Sequence, residues 1–379
     1  MLIAGCTKAI APVDSGLQEQ ILHFGNGTEP QGLDPHIVTG VPEHHLLIAM
    51  CEGLTIANPK GGENLPGVAK SWTISPDGKT YTFYLQEDAK WSNGDQLTAS
   101  DFVWSWMRIL TPSLGSQYPD MLYYVKGAPE YHQGLTDDFT SVGVTAVNDF
   151  ELKVELTNAT PFFIKLLSHY STYPVHKDTV LTHGTIDDRN GQWTRPGNFV
   201  CNGPMNLKTW ELNKEITVEK NPLYWDADSV RLNEIRYYPV SNESTEDRMF
   251  RAGQLHVTNV VPLEKCPVYI ENKNPDLRIE PYMGTYFYRV NTNHPVLKDK
   301  RVRLALAYAL NRKQIVEKVS KCGQLAAYSF TPPGTAGYEP DTSIPFNPEL
   351  AKSLLAEAGY EDTSTFPVLE ILFNTQEGH

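Results

Sequence analysis

The stretch GVAKSWTISPDGKTYTFYLQEDAKWSNGDQLTASDFVWSWMRIL, residues 67–110, decides the fold of this chain. Apolar and polar side chains alternate over Thr80–Leu85, which predicts a half-buried strand, and residues 75–78 (SPDG) predict the turn before it. Thr98 and Asp101 have the spacing of a helix cap, and the apolar positions that follow fall on one helical face. The stretch therefore predicts strand, turn and helix, the local pattern of a folded α/β segment.

The composition bounds the class of protein. The 379 residues leave room for two or more domains, and 40% of them are hydrophobic and 20% charged, as in ordinary globular proteins. The net charge of −13 argues against binding nucleic acid or an anionic membrane through a basic surface. No apolar run approaches the roughly 20 residues that a membrane-spanning helix needs.

Sequence motifs for chemistry are missing from the chain. It contains no Gly-x-Ser-x-Gly elbow, no His-Glu-x-x-His, no phosphate-binding loop and no calcium loop. Their absence argues against enzyme activity, a cofactor and a metal site, although scattered Ser, His and Asp side chains could still converge in space. The adjacent histidines His44 and His45 point to different faces of a predicted helix and make a poor metal pair.

The five cysteines do not form a CxxC pair, which argues against a zinc or redox site. Cys6 ends the segment LIAGC, which matches a bacterial lipobox, so we expect lipidation at Cys6; the alternative is a chance cysteine near the start. Residues 1–18 are interpreted as lipobox and flexible tether because residues 7–18 lack periodicity. The other four cysteines are expected to be buried free thiols.

Periodicity predicts further elements along the chain. We expect a hairpin at 142–156, strands at 216–219 and 235–238, a strand-rich segment at 278–291 and a last strand at 366–373. Helices are expected at 43–52, 243–251, 301–319 and 347–358.

Several sequence blocks carry a family resemblance in addition to residues 67–110. They are CEGL (51–54), NGP (202–204), KNPLYWD (220–226), the segment 301–312 and AKSLLAEAGY (351–360). Together they resemble the family 5 extracellular solute-binding proteins, the oligopeptide receptors of bacterial ABC importers. The resemblance implies an α/β fold of the type II periplasmic-binding-protein-like class, with two lobes joined by a hinge and a smaller extra domain.

The resemblance also implies domain bounds. The first lobe is expected at 19–52 and 177–282, the extra domain at 53–176, and the second lobe at 283–379. Members of this family continue beyond the equivalent of residue 379, so the C-terminal part is expected to be missing. Their partners for the peptide termini lie largely in that part, so we expect residues 1–379 alone to bind peptide weakly or not at all.

The implied function is capture of an oligopeptide through its backbone in a cleft between the lobes, and its delivery to the permease and ATPase complex of the importer. We expect a monomer in the bacterial cell envelope, periplasmic or lipid-anchored on the outer face of a membrane. Two alternatives stay open: a receptor for cell-wall peptides or another small solute, and an adhesin or chaperone-like surface lipoprotein.

Motif alignment with the family implies six ligand-binding residues: Val41, Tyr118, His169, Asn259, Tyr282 and Phe287. Thr39 replaces the family's glutamate beside Val41, and Phe287 replaces a commoner tyrosine. Tyr118 and Tyr282 could equally be core aromatics, and His169 a structural histidine. Three tryptophans are assigned to the core of the small domain: Trp91, Trp104 and Trp106.

Overall fold

The structure is a computed structural model, and it describes residues 10–335 and 338–373. The chain divides into two compact units, Met1–Val260 (unit 1) and Val261–His379 (unit 2). The described residues contain no helix with both the length and the apolar character that crossing a bilayer requires. The lipidation prediction at Cys6 lies outside the described residues, and the predicted three-part domain division remains a prediction.

The strands of unit 1 are β1 (Ile21–Gly25), β2 (Thr55–Ile56), β3 (Leu65–Pro66), β4 (Ala69–Ile74), β5 (Thr80–Leu85), β6 (Val144–Asn148), β7 (Glu151–Glu155), β8 (Met205–Glu211), β9 (Glu215–Lys220) and β10 (Glu234–Tyr238). Its helices are α1 (Pro12–Glu19), α2 (Val41–Met50), α3 (Ala99–Leu110), α4 (Ala128–His132), α5 (Phe163–Leu166), α6 (Lys177–Thr182) and α7 (Glu243–Arg251). Unit 2 contains α8 (Cys266–Glu271), α9 (Lys300–Ala309), α10 (Arg312–Ile315) and α11 (Pro348–Glu357).

One sheet of unit 1 has the strand order β4-β5-β7-β6 and is antiparallel throughout. Strand β5 buries Tyr81, Phe83 and Leu85 and leaves the residues between them partly exposed, which confirms its predicted alternation. Helix α3 packs on this sheet and begins with the predicted capping box, since the Thr98 N–H donates to Asp101 Oδ2 at 2.7 Å. The predicted hairpin is formed by β6 and β7.

The other four-stranded sheet has the order β1-β10-β9-β8, with β1 parallel to β10 and the other pairs antiparallel. Helix α2 supplies core residues for it, among them Leu46, Leu47 and Met50. Trp91 and Trp106 lie in the core of the β4–β7 sheet, as predicted. The prediction for Trp104 is wrong, because its half-buried side chain packs against the core of the β1-β10-β9-β8 sheet instead.

A buried ion pair connects helix α3 to the loop after β1. Arg108 Nη1 and Nη2 donate to the two Asp34 carboxylate oxygens at 2.9 and 2.5 Å, and the Arg108 side chain is 0% exposed. Arg108 Nη1 also lies 3.0 Å from His36 Nδ1, and His36 Nε2 lies 3.1 Å from the Tyr173 carbonyl. Burial would raise the pKa of Asp34, but Arg108 outweighs that cost and holds the pKa below its ordinary value.

Three of the family blocks meet at the end of helix α2. The Asn202 side chain pairs with both backbone groups of Glu52, at 3.0 and 2.8 Å. Tyr224 and Trp225 donate to the Glu52 carboxylate, the Trp225 Nε1 bond being 2.8 Å long. Burial raises the pKa of Glu52 to about 7. These blocks therefore serve the packing of unit 1.

Helix α1 is a correction to the predicted flexible tether. Pro12 occupies the first turn, where a missing N–H costs nothing, and the Val13 N–H donates to the Gly253 carbonyl at 3.1 Å. His256 completes the attachment: the His23 backbone N–H donates to His256 Nδ1 at 2.9 Å, and His256 Nε2 lies 3.2 Å from the Val13 carbonyl. Tertiary contacts thus order residues that lack helical periodicity.

Unit 2 corrects four further predictions. No strand forms at 278–291 or in the described residues 366–373, and the helix predicted over 301–319 breaks after Ala309 and resumes as α10. Cys266 and Cys322 form a disulfide, so they are not free thiols. Cys51 and Cys201 are buried free thiols, as predicted.

Candidate functional site

The start of helix α2 presents an open backbone donor. Gly40 is the N-cap in extended conformation, and a Cβ there would collide with the Glu43 carboxylate. Val41 is the first helical residue and is 54% exposed. The first N–H groups of a helix have no intrahelical acceptor, and no described residue accepts from the Val41 N–H. Val41 can therefore donate to a carbonyl oxygen from outside.

Two tyrosines hold the segment that leads to Val41. Tyr170 Oη donates to the Val38 carbonyl at 3.1 Å, and Tyr118 Oη donates to the Thr39 carbonyl at 3.4 Å. Tyr170 is buried, and burial raises the pKa of its hydroxyl, with smaller contributions from Tyr118 and Glu43. The hydroxyl of Tyr170 therefore stays protonated and keeps its role as a donor.

His169 lies against both tyrosines. Its ring stacks on Tyr170 with the centroids 4.3 Å apart, and it meets the Tyr118 ring edge-on at 5.1 Å. Nδ1 of His169 accepts from the Ser171 N–H at 3.3 Å, which caps the 3-10 turn Tyr170–Thr172. Burial lowers the pKa of His169 to about 4; nearby His44 lowers it further and Asp120 opposes the shift. The imidazole is thus neutral at ordinary pH.

Asn259 reaches the same region from the other end of unit 1. It follows the parallel bridge between Phe24 and Val257, and its side chain lies where a Cβ of Gly27 would be. Gly27 has φ +72°, a backbone conformation that glycine adopts at no steric cost. The preceding Asn26 donates from Nδ2 to the Pro42 carbonyl at 3.2 Å, so this turn is tied to the start of helix α2.

In unit 1, Tyr118 and His169 are therefore in direct ring contact, whereas Val41 and Asn259 are linked to them only through the backbone of residues 38–42 and the Asn26–Gly27 turn. Tyr282 and Phe287 belong to unit 2 and are described separately. Tyr282 is 84% exposed, which excludes the alternative of a core aromatic, and Phe287 is 47% exposed with its ring edge-on to Phe330 at 4.9 Å.

Three positioning residues were missed by the sequence reasoning: Tyr170, Asn26 and Glu246. The Glu246 carboxylate is buried; the Val260 N–H donates to Oε2 at 3.5 Å, the N–H groups of Asn259 and Gly27 also favour its charged form, and Oε1 has no hydrogen-bond partner among the described residues. Burial raises the pKa of Glu246 to about 6 although these hydrogen bonds lower it. Only Tyr170 had a local signal, since it directly follows His169; the other two act across the fold.

The described residues contain no cluster of three or more His, Cys, Asp or Glu side chains that could hold a metal ion. What the unit 1 residues offer is a backbone N–H, a neutral imidazole, an amide side chain and aromatic faces. These groups can bind a neutral polar ligand by hydrogen bonds and stacking.

Comparison with known proteins gives the family. Residues 64–378 match the family model described as bacterial extracellular solute-binding proteins, family 5 Middle. The chain is 38% identical to the periplasmic oligopeptide-binding protein OppA of Escherichia coli K12, over 100% of this chain and 70% of that protein. It is 34% identical to the periplasmic murein peptide-binding protein MppA of the same organism, over 96% of this chain and 66% of that protein.

Comparison with solved structures supports the same family. Haemophilus influenzae OppA in complex with RPPGFSPFR matches with a TM-score of 0.81 and 32% identity, over 90% of this chain and 67% of that one. Burkholderia pseudomallei OppA matches with a TM-score of 0.84 and 33% identity, over 91% and 68%. These likenesses confirm the predicted type II periplasmic-binding-protein-like class. The chain belongs to the family 5 bacterial extracellular solute-binding proteins.

Proposed function

We propose that this chain is the substrate-binding component of an ABC importer, which captures oligopeptides and delivers them to a membrane permease. The observation that carries the proposal is the open N–H of Val41 at the start of helix α2, beside a neutral aromatic surface. A relative of the same fold is solved with the peptide RPPGFSPFR bound. The setting is the bacterial periplasm, where its Escherichia coli and Salmonella typhimurium relatives are named as periplasmic proteins.

The proposed ligand contacts are Val41, Tyr118, His169 and Asn259 in unit 1, and Tyr282 and Phe287 in unit 2. The Val41 N–H donates to a peptide carbonyl, aided by the positive end of the helix dipole. Tyr118 and His169 provide faces on which a peptide side chain packs. Binding through the peptide backbone tolerates varied side chains, because the hydrogen-bonding groups are the same in every peptide.

We further propose that the chain does no chemistry on its ligand, that it acts as a monomer, and that Cys6 carries a lipid anchor. The family is one of receptors. Murein peptide is a second candidate ligand, because the MppA relative is named for it. Both ligands present the backbone amides that the site is suited to bind.

Replacing Val41 by proline tests the proposal, since proline is tolerated at the first helical position but has no N–H. The matched control is Val41→Ala, which keeps the N–H and removes the exposed side chain. We expect Val41→Pro to weaken binding of a tri- or tetrapeptide roughly two- to tenfold, the worth of one hydrogen bond, and Val41→Ala to leave it unchanged.

Binding is measured by NMR titration of the isotope-labelled chain, which detects affinities in the millimolar range, and the peptide is recovered for mass spectrometry. Val147, also an exposed valine at 52%, serves as the reference amide. Shifts at Val41 and Asn259 without a shift at Val147 support the proposal. Shifts at Val147 as large as those at Val41 and Asn259, or recovery of cleaved peptide, contradict it.

A further inference from the structure

The His169 ring has a defined tautomer. A backbone N–H can only donate, so the 3.3 Å contact from the Ser171 N–H requires an unprotonated Nδ1. The Ser171 hydroxyl, 2.8 Å from the same nitrogen, donates to it as well. In a neutral ring the remaining proton then resides on Nε2. Ser171 is fully buried, so neither donor can be exchanged for water.

The ring orientation is also fixed. Tyr170 lies under one face at 4.3 Å with an angle of 29° between the planes, and Tyr118 stands against the ring at 5.1 Å and 79°. Tyr170 and Tyr118 are themselves held by the hydrogen bonds to Val38 and Thr39. A flip of the imidazole would break the cap on the 3-10 turn and leave the buried Ser171 N–H unpaired.

Nε2 is the ring nitrogen of His169 that remains available to a ligand. No group in the described parts of the chain pairs with it, and His169 is only partly buried. The nearest charged groups do not change its state, because burial and His44 lower the pKa of His169 to about 4 while Asp120 opposes them only weakly. Nε2–H is therefore a neutral donor that cannot act as an acceptor.

We propose that His169 is a specificity-determining residue which donates one neutral hydrogen bond from Nε2–H, with the Ser171 N–H as the positioning group, and so selects ligands that place an acceptor oxygen there. This inference rests on the proposed peptide-binding function. The acceptor is a carbonyl or a carboxylate oxygen of the peptide. A ligand that places an ammonium or amide N–H at this position is rejected, since two donors would face each other.

The tautomer is tested without any ligand, by histidine side-chain ¹⁵N NMR of the full chain. We expect the Nε2-protonated neutral form of His169 from pH 8 down to about pH 5. His176 is the matched control: its Nδ1 caps helix α6 through the Thr179 N–H at 3.3 Å, but its Nε2 is already paired with Asp95 at 3.0 Å. Adding a tripeptide should shift the Nε2 signal of His169 and not that of His176.

The selection is tested with His169→Phe, which keeps an aromatic face but removes the donor. We expect peptide binding to weaken roughly two- to tenfold. Peptides with a free acid and with an amidated C-terminus distinguish the two acceptors: equal losses for both indicate a carbonyl, and a loss for the free acid alone indicates a carboxylate. The titration of the unmodified chain decides the question if His169→Phe does not fold.

Three results would overturn the inference: an Nδ1-protonated or charged His169 at pH 7, an Nε2 signal that peptide leaves unmoved, or unchanged binding in His169→Phe. Peptide binding that responds to Val41→Pro but not to His169→Phe would refute this inference alone. Recovery of cleaved peptide from the unmodified chain would instead refute the proposed function.

Discussion

Replacing Asp34 by asparagine should cost unit 1 a large part of its stability. The guanidinium of Arg108 is 0% exposed, and the Asp34 carboxylate accepts two hydrogen bonds from it, at 2.9 and 2.5 Å. Asparagine has nearly the same shape, so Asp34→Asn removes the charge without opening a cavity. An unpaired buried charge typically costs about 3–5 kcal/mol, and domains are stable by only about 5–15 kcal/mol.

Tryptophan fluorescence makes unit 1 measurable by itself, because all seven tryptophans of the chain lie before residue 261. Urea unfolding should show a lower midpoint for Asp34→Asn with an unchanged slope, since the buried area is the same. The variant Asp34→Leu/Arg108→Met should recover part of the loss, because an apolar pair of similar volume avoids the desolvation of both charges but leaves the buried His36 N–H without its acceptor.

A matched exposed pair is the control. Lys70 Nζ and Glu87 Oε1 are 2.9 Å apart, but their side chains are 44% and 69% exposed, so Glu87→Gln should cost less than about 1 kcal/mol. The reasoning is wrong if Asp34→Asn costs no more than Glu87→Gln. It is also wrong if the double apolar variant is no more stable than Asp34→Asn.

Three further predictions concern other contacts. Burial, and next Arg108, lower the pKa of His36 from its ordinary 6.5 to about 4. The unfolded chain therefore takes up this proton at a higher pH than the folded chain does, and about 3 kcal/mol of stability should be lost between pH 6.5 and 4. In urea titrations, His36→Asn should reduce the pH dependence of the free energy of unfolding by one proton. His256→Ala removes both contacts that hold helix α1, so amide hydrogen exchange over 12–19 should become faster while β9 stays protected. The Cys266–Cys322 bond closes a loop of 56 residues, so Cys322→Ser should destabilise unit 2 by about 4 kcal/mol, seen as faster exchange over 300–309 with an unchanged tryptophan transition.

Each of these predictions has an outcome that contradicts it. An unaltered pH slope in His36→Asn would show that the His36 proton is not linked to folding. Equal exchange over 12–19 with and without the His256 imidazole would show that helix α1 is held by other contacts. Two free thiols at Cys266 and Cys322 in the oxidised protein, found by alkylation and mass spectrometry, would contradict the disulfide.

Elements fixed by neighbouring residues were predictable from the sequence. Helix α3 has its capping box, Thr98 and Asp101, within its own first turn, and β5 carries its burial pattern in its alternating side chains. Helix α1 was missed because its order comes from Gly253 and His256, more than 230 positions away along the chain. No local pattern carries such information.

The strand-rich reading of 278–291 failed for a related reason. Its tyrosines and phenylalanines have the composition of a strand, but a strand needs a neighbour to pair its backbone groups. The described residues supply none, and Tyr282, Tyr286 and Phe287 remain exposed. The Cys266–Cys322 pair was equally invisible, because spacing along the chain does not determine which cysteines meet.

The candidate site came from the family resemblance and not from the physics of the sequence. Motif alignment pointed to Val41, Tyr118, His169 and Asn259, of which the structure shows Tyr118 and His169 in direct contact. Motif alignment could not point to Glu246, because its sequence surroundings are those of an ordinary helix. Only the folded chain brings its carboxylate to the amides of Gly27 and Asn259.

The side chains around the site satisfy the chain's own backbone, and this decides what is left for a ligand. The hydroxyls of Tyr118 and Tyr170 donate to the Thr39 and Val38 carbonyls. Asn26 donates to the Pro42 carbonyl, and the Glu246 carboxylate interacts with backbone amides of its own chain. Among the described groups there, the Val41 N–H, the His169 Nε2–H and the exposed Asn259 amide have no hydrogen-bond partner; the Glu43 Oε2 and Glu246 Oε1 atoms are also unpaired, but they are buried. The accessible groups are neutral and two of them only donate, so the surface suits the carbonyl oxygens that every peptide bond supplies regardless of its side chains. A receptor that relied on charged side chains would discriminate among peptides, whereas donors held in this way bind them by what they share.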